Sequence, residues 1–270
     1  MVKTRLDILI SQKGLTGSRE KARAMILAGE VTVNGVTITK PGTQVSDDAE
    51  ITINSCIPKY ISRGGLKLEK AIKAFAVEFE DKVVLDIGAS TGGFTDCALK
   101  HGARKVYAVD VGYGQLDWSL RNDKRVVNLE RTNIRYLTLG DLGERVDIIT
   151  IDVSFISTAK VFPTAEGVLK DDGKVICLIK PQFEAGRDLI GKNGVVRDSS
   201  VHREVLGSCI ESARKAGLYC TDITYSPITG PKGNIEFLII LAKSAAVTHN
   251  MEDLILNVVK TAHRELGGNK

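Results

Sequence analysis

Apolar and polar residues follow two different patterns along the chain. Between residues 4 and 53 they predict two helices, TRLDILISQK and REKARAMILA, and then short alternating strands at VTVNGVTI and ITI. Ser18 has the position of a helix N-cap, and Gly29 has that of a helix end. The pair Asn34-Gly35 is a strong signal for a hairpin turn. The pattern therefore predicts a small α+β unit over residues 1–55.

From residue 63 onward, strongly apolar strands alternate with amphipathic helices. The predicted strands are VVLDI, VYAVD, VVNLE, VDIITID and KVICLIK, and the predicted helices lie at GGLKLEKAIKAF, 94–101, 156–169 and 201–216. This alternation predicts an α/β domain with a doubly wound, mostly parallel sheet over residues 63–270, after a linker at 56–62. LYCTDITY and IEFLIILA are joined without a helix, so we expect the last strand to be antiparallel.

Charge is distributed unevenly between these two parts. The net charge is +4, but the first 75 residues hold 12 Lys and Arg against 7 Asp and Glu, which leaves the rest of the chain slightly acidic. A basic N-terminal part favours a polyanionic partner, although a solvated basic face without a partner explains the charge equally well. With 43% hydrophobic and 26% charged residues, the composition is that of an ordinary globular protein and argues against disorder.

The cysteines and the apolar runs bear on location. Cys56, Cys97, Cys177, Cys209 and Cys220 are an odd number, are widely spaced and form no CxxC pair. They predict free thiols in a reducing compartment and no metal site. No apolar run approaches the length that spans a bilayer. We therefore expect a cytoplasmic protein without a membrane partner and find no sign of an obligate protein partner.

The N-terminal unit resembles a known RNA-binding domain. The segment SREKARAMILAGEVTVNGVTITKPG is similar to the S4 domain, and the resemblance covers about the first 55 residues. It implies that the basic face of the helix pair binds folded RNA. The side chains expected on phosphates are Arg5, Lys13, Arg19 and Arg23.

A glycine-rich turn, DIGASTGG, follows the first strand of the α/β domain. A pyrophosphate-binding turn would have the pattern GxGxxG, whereas Ala89 and Ser90 occupy the middle of this one. The turn therefore favours a nucleoside ligand without a pyrophosphate, namely S-adenosylmethionine, although tight packing would explain the glycines equally well. The predicted cofactor contacts of the turn are Asp86, Gly88, Ser90, Gly92, Gly93 and Phe94.

The second strand ends in an acidic residue, Asp110, at the edge where ligands bind in such sheets. A carboxylate there can accept both hydroxyls of a ribose, and helix capping is the competing explanation. Thr132 and Asn133 follow the third strand and are placed for the adenine end, although a plain turn is nearly as good an explanation.

Three charged residues interrupt or end otherwise apolar strands: Asp152, Lys180 and Glu236. The strand directions bring all three to one edge of the sheet, where mutual pairing and catalysis are both compatible with their burial. Lys67 borders the buried face of its helix. It can either lean toward that edge or remain a surface lysine.

From residue 58 onward the chain resembles the FtsJ-type ribose methyltransferases, and with the S4 unit it is similar to the TlyA family of ribosomal RNA 2′-O-methyltransferases. The resemblance rests on KYISRGGLKL, LDIGASTGGFTD, AVDVGYGQL, IDVSFIS, LIKPQFE and GNIEFL. It implies a catalytic tetrad at Lys67, Asp152, Lys180 and Glu236. It also implies S-adenosylmethionine as cofactor and ribosomal RNA or ribosomal subunits as partner, with a cytidine as the target.

The resemblance further implies an in-line displacement in which Lys180, as its neutral amine, removes the proton of the 2′-hydroxyl. Other methyl acceptors fit less well. Amino-directed enzymes carry a Pro-Pro-aromatic turn where this chain has IDVSF, and Cys177 lies too far inside its strand to serve as the nucleophile of a carbon-5 enzyme.

Two other functions stay open on the sequence alone. An RNA-binding or ribosome-assembly factor could keep this fold with little or no turnover. A cytolysin is the remote alternative, because family members often carry the label hemolysin. The loop at 182–200 is either a lid over RNA or a mobile loop without function. Further RNA contacts are expected from Arg63 and from the loop residues Arg187, Lys192 and Arg197.

Overall fold

Two helices and five short strands are described in the N-terminal part of the protein. The computed structural model describes residues 3–27, 29–53, 59–244 and 250–267, and the chain divides into the units Met1–Lys59 and Tyr60–Lys270. The linker predicted at 56–62 therefore lies partly outside the described residues, and Cys56 lies wholly outside them. The elements of the first unit are β1 (Lys3–Arg5), α1 (Leu6–Gln12), α2 (Arg19–Leu27), β2 (Val31–Val33), β3 (Val36–Thr37), β4 (Gln44–Ser46) and β5 (Ile51–Ile53).

The first helix begins later than the sequence pattern predicts. Residues 3–5 form β1, which pairs antiparallel with β4, and Thr4 lies opposite Val45. The helix starts at Leu6, where the apolar face that packs onto α2 begins. The hairpin prediction is confirmed, because Asn34 and Gly35 both have positive φ angles, 49° and 77°, between β2 and β3.

The second unit alternates helices and strands. Its elements are α3 (Gly64–Phe75), β6 (Val83–Ile87), α4 (Gly93–Lys100), β7 (Lys105–Val109), α5 (Trp118–Arg121), β8 (Val126–Leu129), α6 (Leu139–Leu142), β9 (Val146–Ile151), α7 (Phe162–Val168), β10 (Leu169–Ile179), α8 (Pro181–Glu184), α9 (Ser199–Lys215), β11 (Tyr219–Tyr225), β12 (Phe237–Ala242) and α10 (Met251–Leu266). The helix predicted at 156–169 is a short 3₁₀ turn followed by α7. The sequence pattern had assigned no element to α10.

The predicted fold class is confirmed. Among the described residues of the second unit, seven strands form one sheet in the order β11-β12-β10-β9-β6-β7-β8, and of these only β12 runs against its neighbours. Two clusters of buried apolar side chains cover the two faces of the sheet. The carboxyl ends of all the parallel strands therefore lie at one edge of the sheet, and the antiparallel β12 begins at that same edge.

Two histidines join α9 to α10. His202 is fully buried, its Nδ1 lies 2.8 Å from Nε2 of His263, and its ring packs on Phe237 of β12. Burial, reinforced by the neighbouring His263, lowers the pKa of His202 from its ordinary 6.5 to about 4. The folded protein therefore holds His202 neutral at neutral pH.

We expect the contribution of His202 to the free energy of unfolding to fall as the pH drops from 6.5 to 4. The pKa of His202 is lower in the folded than in the unfolded chain, so its contribution is complete above pH 6.5 and is lost toward pH 4. The loss is on the order of 3 kcal/mol. Denaturant unfolding at a series of pH values measures it. The free energy of unfolding of the wild type minus that of His202→Gln should decrease as the pH falls from 6.5 to 4, whereas the same difference for His101→Gln, outside the pair, should not. Equal pH dependence of the two differences would contradict the assignment.

Candidate functional site

The turn after β6 is shaped by backbone that only certain residues tolerate. Gly88, Ser90 and Gly92 have positive φ angles of 84°, 50° and 97° before α4 begins at Gly93. A Cβ on Gly88 would lie 2.6 Å from the carbonyl oxygen of Asp152, so no side chain fits there. The turn thus brings bare backbone to the edge of the sheet beside Asp152.

Asp110 follows β7 and closes this turn from the other side. Its carboxylate accepts hydrogen bonds from the backbone N–H groups of Ser90, at 2.8 Å, and Gly112, at 2.7 Å. It lines a cavity of about 350 Å³, here named the Asp110 cavity. Gly88, Ser90, Thr132 and Asn133, all predicted for the cofactor, line the same cavity. Each carboxylate oxygen can accept more than one hydrogen bond, so Asp110 keeps capacity for a ligand.

Asp86 lies behind the turn and lines neither the Asp110 cavity nor the two cavities described below. It is 1% exposed, and its carboxylate accepts hydrogen bonds from Thr95, at 2.6 Å, and Thr150, at 2.9 Å. Burial raises the pKa of Asp86 to about 6. In this structure Asp86 joins α4 to β9 through Thr95 and Thr150, and the prediction that it contacts the cofactor stays a prediction.

Some of the remaining turn residues line a cavity and others do not. Gly93 and Phe94 line a second cavity, whereas Gly92 lines none and packs against α5, where a Cβ would meet Leu120 at 2.2 Å. Close packing, the alternative explanation for the sequence pattern, accounts for a glycine at this position, and the cofactor contact predicted for Gly92 stays a prediction.

The four charged residues singled out by the sequence lie in two ion pairs at the edge of the sheet. Nζ of Lys67 is 2.5 Å from Oε2 of Glu236, and Nζ of Lys180 is 2.5 Å from Oδ1 of Asp152. Asp152 and Lys180 directly follow β9 and β10, and Glu236 directly precedes β12. Since Ile179 pairs with Phe237, Lys180 and Glu236 end up side by side on neighbouring strands.

Burial differs between the two pairs. Lys67 is 8% and Glu236 1% exposed, so each of these charges depends on the other for compensation. The pair of Lys180 and Asp152 is more accessible and has a third member, because Nζ of Lys180 also donates to Oγ of Ser154 at 2.8 Å. Sequence reasoning missed Ser154, although it stands two residues after Asp152 in the segment IDVSF.

Two further cavities open around these pairs. The Lys180 cavity, about 370 Å³, is lined by Lys67, Asp152, Lys180 and Phe94 among others. The Gln182 cavity, about 460 Å³, is lined by Lys67, Lys180, Glu236 and Gln182, with the aromatic side chains of Phe155 and Phe183. Ser154 lines both of them and the Asp110 cavity. The two ion pairs therefore lie where the three cavities meet.

Comparison with known proteins shows the family of this chain. A family model described as FtsJ-like methyltransferase matches residues 60–243, and the S4 domain model matches residues 4–51. The 16S/23S rRNA (cytidine-2′-O)-methyltransferase TlyA of Mycobacterium tuberculosis is 43% identical over 240 residues, which cover 88% of this chain and 90% of that protein. The chain belongs to the TlyA family of FtsJ-like methyltransferases.

Two further relatives extend over almost the whole chain. The Bacillus subtilis protein YqxC, provisionally named an rRNA methyltransferase, is 47% identical over 268 residues, 98% of this chain and 95% of that protein. A solved structure from Streptococcus thermophilus, labelled as a hemolysin, superposes with a TM-score of 0.78 at 44% identity and covers 100% of this chain and 98% of its own. The TlyA family thus includes proteins under both names.

As an FtsJ-like enzyme, this TlyA-family member uses S-adenosylmethionine as its cofactor. The Asp110 cavity fits that molecule, because it combines a carboxylate for hydroxyl groups with apolar walls from Ile87, Val109 and Ile134. It also opens at Asp152 and Ser154 toward the two ion pairs.

The basic residues expected on RNA are held in different ways. In the first unit, Arg5 and Arg19 both donate to Asp7, at 3.0 Å each, and Asp7 is buried. Hydrogen bonding from Arg5, with a further contribution from Arg19, lowers the pKa of Asp7 to about 2. Lys13 and Arg23 are exposed. Asp7 thus orients two guanidinium groups that are each about half exposed.

The predicted loop at 182–200 includes the last three residues of α8, two 3₁₀ turns at Arg187–Leu189 and Lys192–Gly194, and the first two residues of α9. Glu184 accepts from Ser157 and from the N–H of Thr158, both at 2.8 Å, which anchors the start of the loop. Asn234 holds the N–H of Val196 and the carbonyl oxygen of Gly194, at 2.9 Å each. The loop is therefore tied down near both ends.

Of the other RNA contacts predicted in the second unit, the structure describes the side chains of Arg63 and Arg197. Arg63 donates to the carbonyl oxygen of Thr229 at 2.8 Å, at the rim of the Lys180 cavity. Arg197 is exposed, and the side chains of Arg187 and Lys192 lie outside the described part. Across the described residues, no helix is long and apolar enough to cross a membrane.

Proposed function

We propose that this protein transfers a methyl group from S-adenosylmethionine to the ribose 2′-hydroxyl of a cytidine in ribosomal RNA. The observation that carries the proposal is the double ion pair of Lys67 with Glu236 and Lys180 with Asp152, at the meeting point of three cavities. The substrate class is supported by the name of the Mycobacterium tuberculosis relative and by the S4 match of the first unit.

The chemistry assigned to the site is a displacement at carbon. When bound, the cofactor would supply a methyl group on a positively charged sulfur, and that sulfur would keep the electron pair of the broken carbon–sulfur bond while the 2′-oxygen bonds to the methyl carbon. Lys180, in its amine form, accepts the proton of the 2′-hydroxyl. Asp152 and Ser154 hold its Nζ at the mouth of the Asp110 cavity.

Lys67 and Glu236 have a different role in this proposal. Their ion pair is buried, so it keeps a fixed positive group beside Lys180 that orients the 2′-oxygen. Asp110, which lines the Asp110 cavity, would accept hydrogen bonds from the ribose hydroxyls of the cofactor. The buried thiols of Cys97, Cys177, Cys209 and Cys220 take no part.

Methyl transfer to ribosomal RNA tests the proposal directly. Purified protein, labelled S-adenosylmethionine and ribosomal RNA or subunits from cells lacking the protein should yield a 2′-O-methylated cytidine, which mapping of the RNA then locates. Absence of transfer together with intact RNA and cofactor binding would instead support an assembly factor. Lysis of membranes by the pure protein would support a cytolysin.

The first unit supplies the RNA affinity in this proposal, and Arg19→Ala combined with Arg23→Ala should weaken it. Loss of two phosphate contacts is expected to lower the slope of binding against salt concentration by about two units. RNA titrations at several salt concentrations measure the slope. Affinity for S-adenosylmethionine, titrated separately, should not change. RNA binding equal to that of the wild type would remove the support for this role of the S4 unit.

A further inference from the structure

Gln182 has a polar atom that the described protein leaves unmatched. Its Oε1 is shielded from solvent, with less than 1 Å² accessible, and receives no hydrogen bond from any described residue. The side chain also lines the Gln182 cavity, together with Lys67, Lys180 and Glu236. A shielded acceptor without a donor is unfavourable, and a ligand that brings an N–H group removes the penalty.

Gln182 lies close in the sequence to Lys180, the proposed general base. It is the second residue of α8, two residues after Lys180, and the N–H of Phe183 donates back to the carbonyl oxygen of Lys180 at 2.9 Å. Pro181 restricts the backbone between them, and Glu184 anchors the end of α8 on Ser157. The carboxamide and the Lys180 amine are therefore held on one short rigid segment.

We propose that Gln182 determines base specificity by accepting a hydrogen bond from the exocyclic amine of cytosine. This inference rests on the proposed function, because it requires the target nucleoside to enter the Gln182 cavity. Base and 2′-hydroxyl are joined through one ribose, so a segment that holds both Gln182 and Lys180 fixes the two ends of the nucleoside together. The aromatic rings of Phe155 and Phe183, with centroids 4.8 Å apart, border the same space.

The chemistry at position 4 of the base explains the selectivity. Cytosine presents an amine there, which donates, whereas uracil presents a carbonyl oxygen, which only accepts. Oε1 opposite that carbonyl would place two acceptors face to face. A site built around a hydrogen bond discriminates strongly against an analogue that lacks the partner group.

The experiment compares three versions of one RNA fragment, once the methylated cytidine has been mapped. The fragment carries at that position cytidine, uridine or 2-pyrimidinone riboside, which lacks the amine but keeps the remaining ring. For the wild type, the single-turnover rate constant divided by the half-saturating RNA concentration should fall about tenfold to a hundredfold without the amine. In Gln182→Leu, the reaction of the cytidine fragment should be slower by a similar factor. This variant should methylate all three fragments at the same rate.

Two other variants separate recognition from general damage. Gln182→Glu offers acceptors only, so it should still favour cytidine over both analogues, and no rotation of the side chain could let it donate to uracil. Lys232→Ala, which lines the same cavity and is exposed, should lower transfer to all three fragments by one common factor, because an ammonium group does not distinguish the bases. Cofactor affinity and the unfolding midpoint of each variant report on folding.

The outcomes separate this inference from the proposed function. If the wild type methylates cytidine and 2-pyrimidinone riboside equally well, or if Gln182→Leu keeps the wild-type ratio between them, Gln182 does not recognise the base. If the wild type methylates no ribosomal RNA at all, the proposed function itself fails. We expect the wild type to methylate fragments without the amine more slowly than the cytidine fragment. This difference should disappear in Gln182→Leu and persist in Gln182→Glu.

Discussion

Replacing Lys180 by alanine should slow methyl transfer about a hundredfold to ten-thousandfold, which is the usual contribution of a positioned general base. The amine of Lys180 is held by Asp152 at 2.5 Å and Ser154 at 2.8 Å, and no other lysine in the described residues shares both contacts. Without it, the 2′-hydroxyl must lose its proton to water. Single-turnover rates with saturating RNA and cofactor measure the chemical step apart from binding.

Binding should survive this change, which distinguishes a catalytic loss from unfolding. Titrations of Lys180→Ala with RNA and with S-adenosylmethionine are expected to match those of the wild type. Lys160→Ala removes an exposed lysine that lines none of the three cavities, and it should keep the full rate. A near-normal single-turnover rate for Lys180→Ala at neutral pH would show that another group takes the proton.

Replacing Glu236 by leucine should lower the free energy of unfolding by about 3–5 kcal/mol, the range found when one partner of a buried ion pair is removed. Lys67 is only 8% exposed, and its Nζ lies 2.5 Å from Glu236, so the change leaves a buried ammonium group without its compensating charge. Equilibrium denaturation in urea measures the loss. Glu78→Leu, at an exposed position, is the matched control and should cost far less.

Removing both charges should restore most of the lost stability. In the combination of Glu236→Leu with Lys67→Met no unpaired charge remains, and apolar replacement of a whole buried pair is often neutral or stabilising. The double variant is expected to fold and to bind cofactor but to transfer no methyl group at a measurable rate. If it proved no more stable than Glu236→Leu alone, the pair would not account for the stability of this edge.

Much of the fold follows from local signals in the sequence. The helix α3 has the predicted ends, Gly64 and Phe75, because its apolar face and its bounding residues are both local. The alternation of apolar strands and amphipathic helices predicts the parallel sheet, since strands buried on both faces must be apolar throughout. A charged residue at the end of such a strand is costly unless it is paired, so Asp152, Lys180 and Glu236 stood out. Their catalytic roles remain predictions.

Tertiary structure alone decided which charge pairs with which and what the polar groups face. The sequence allowed Lys67 to be a surface lysine, and only the packing of α3 brought it to Glu236. The sequence predicted Asp86 as a cofactor contact, and only the structure shows that its carboxylate accepts hydrogen bonds from Thr95 and Thr150 in the core. The unmatched oxygen of Gln182 likewise has no local signature. Periodicity records which residues are buried, whereas contacts between distant segments depend on strand order and register, which no local pattern encodes.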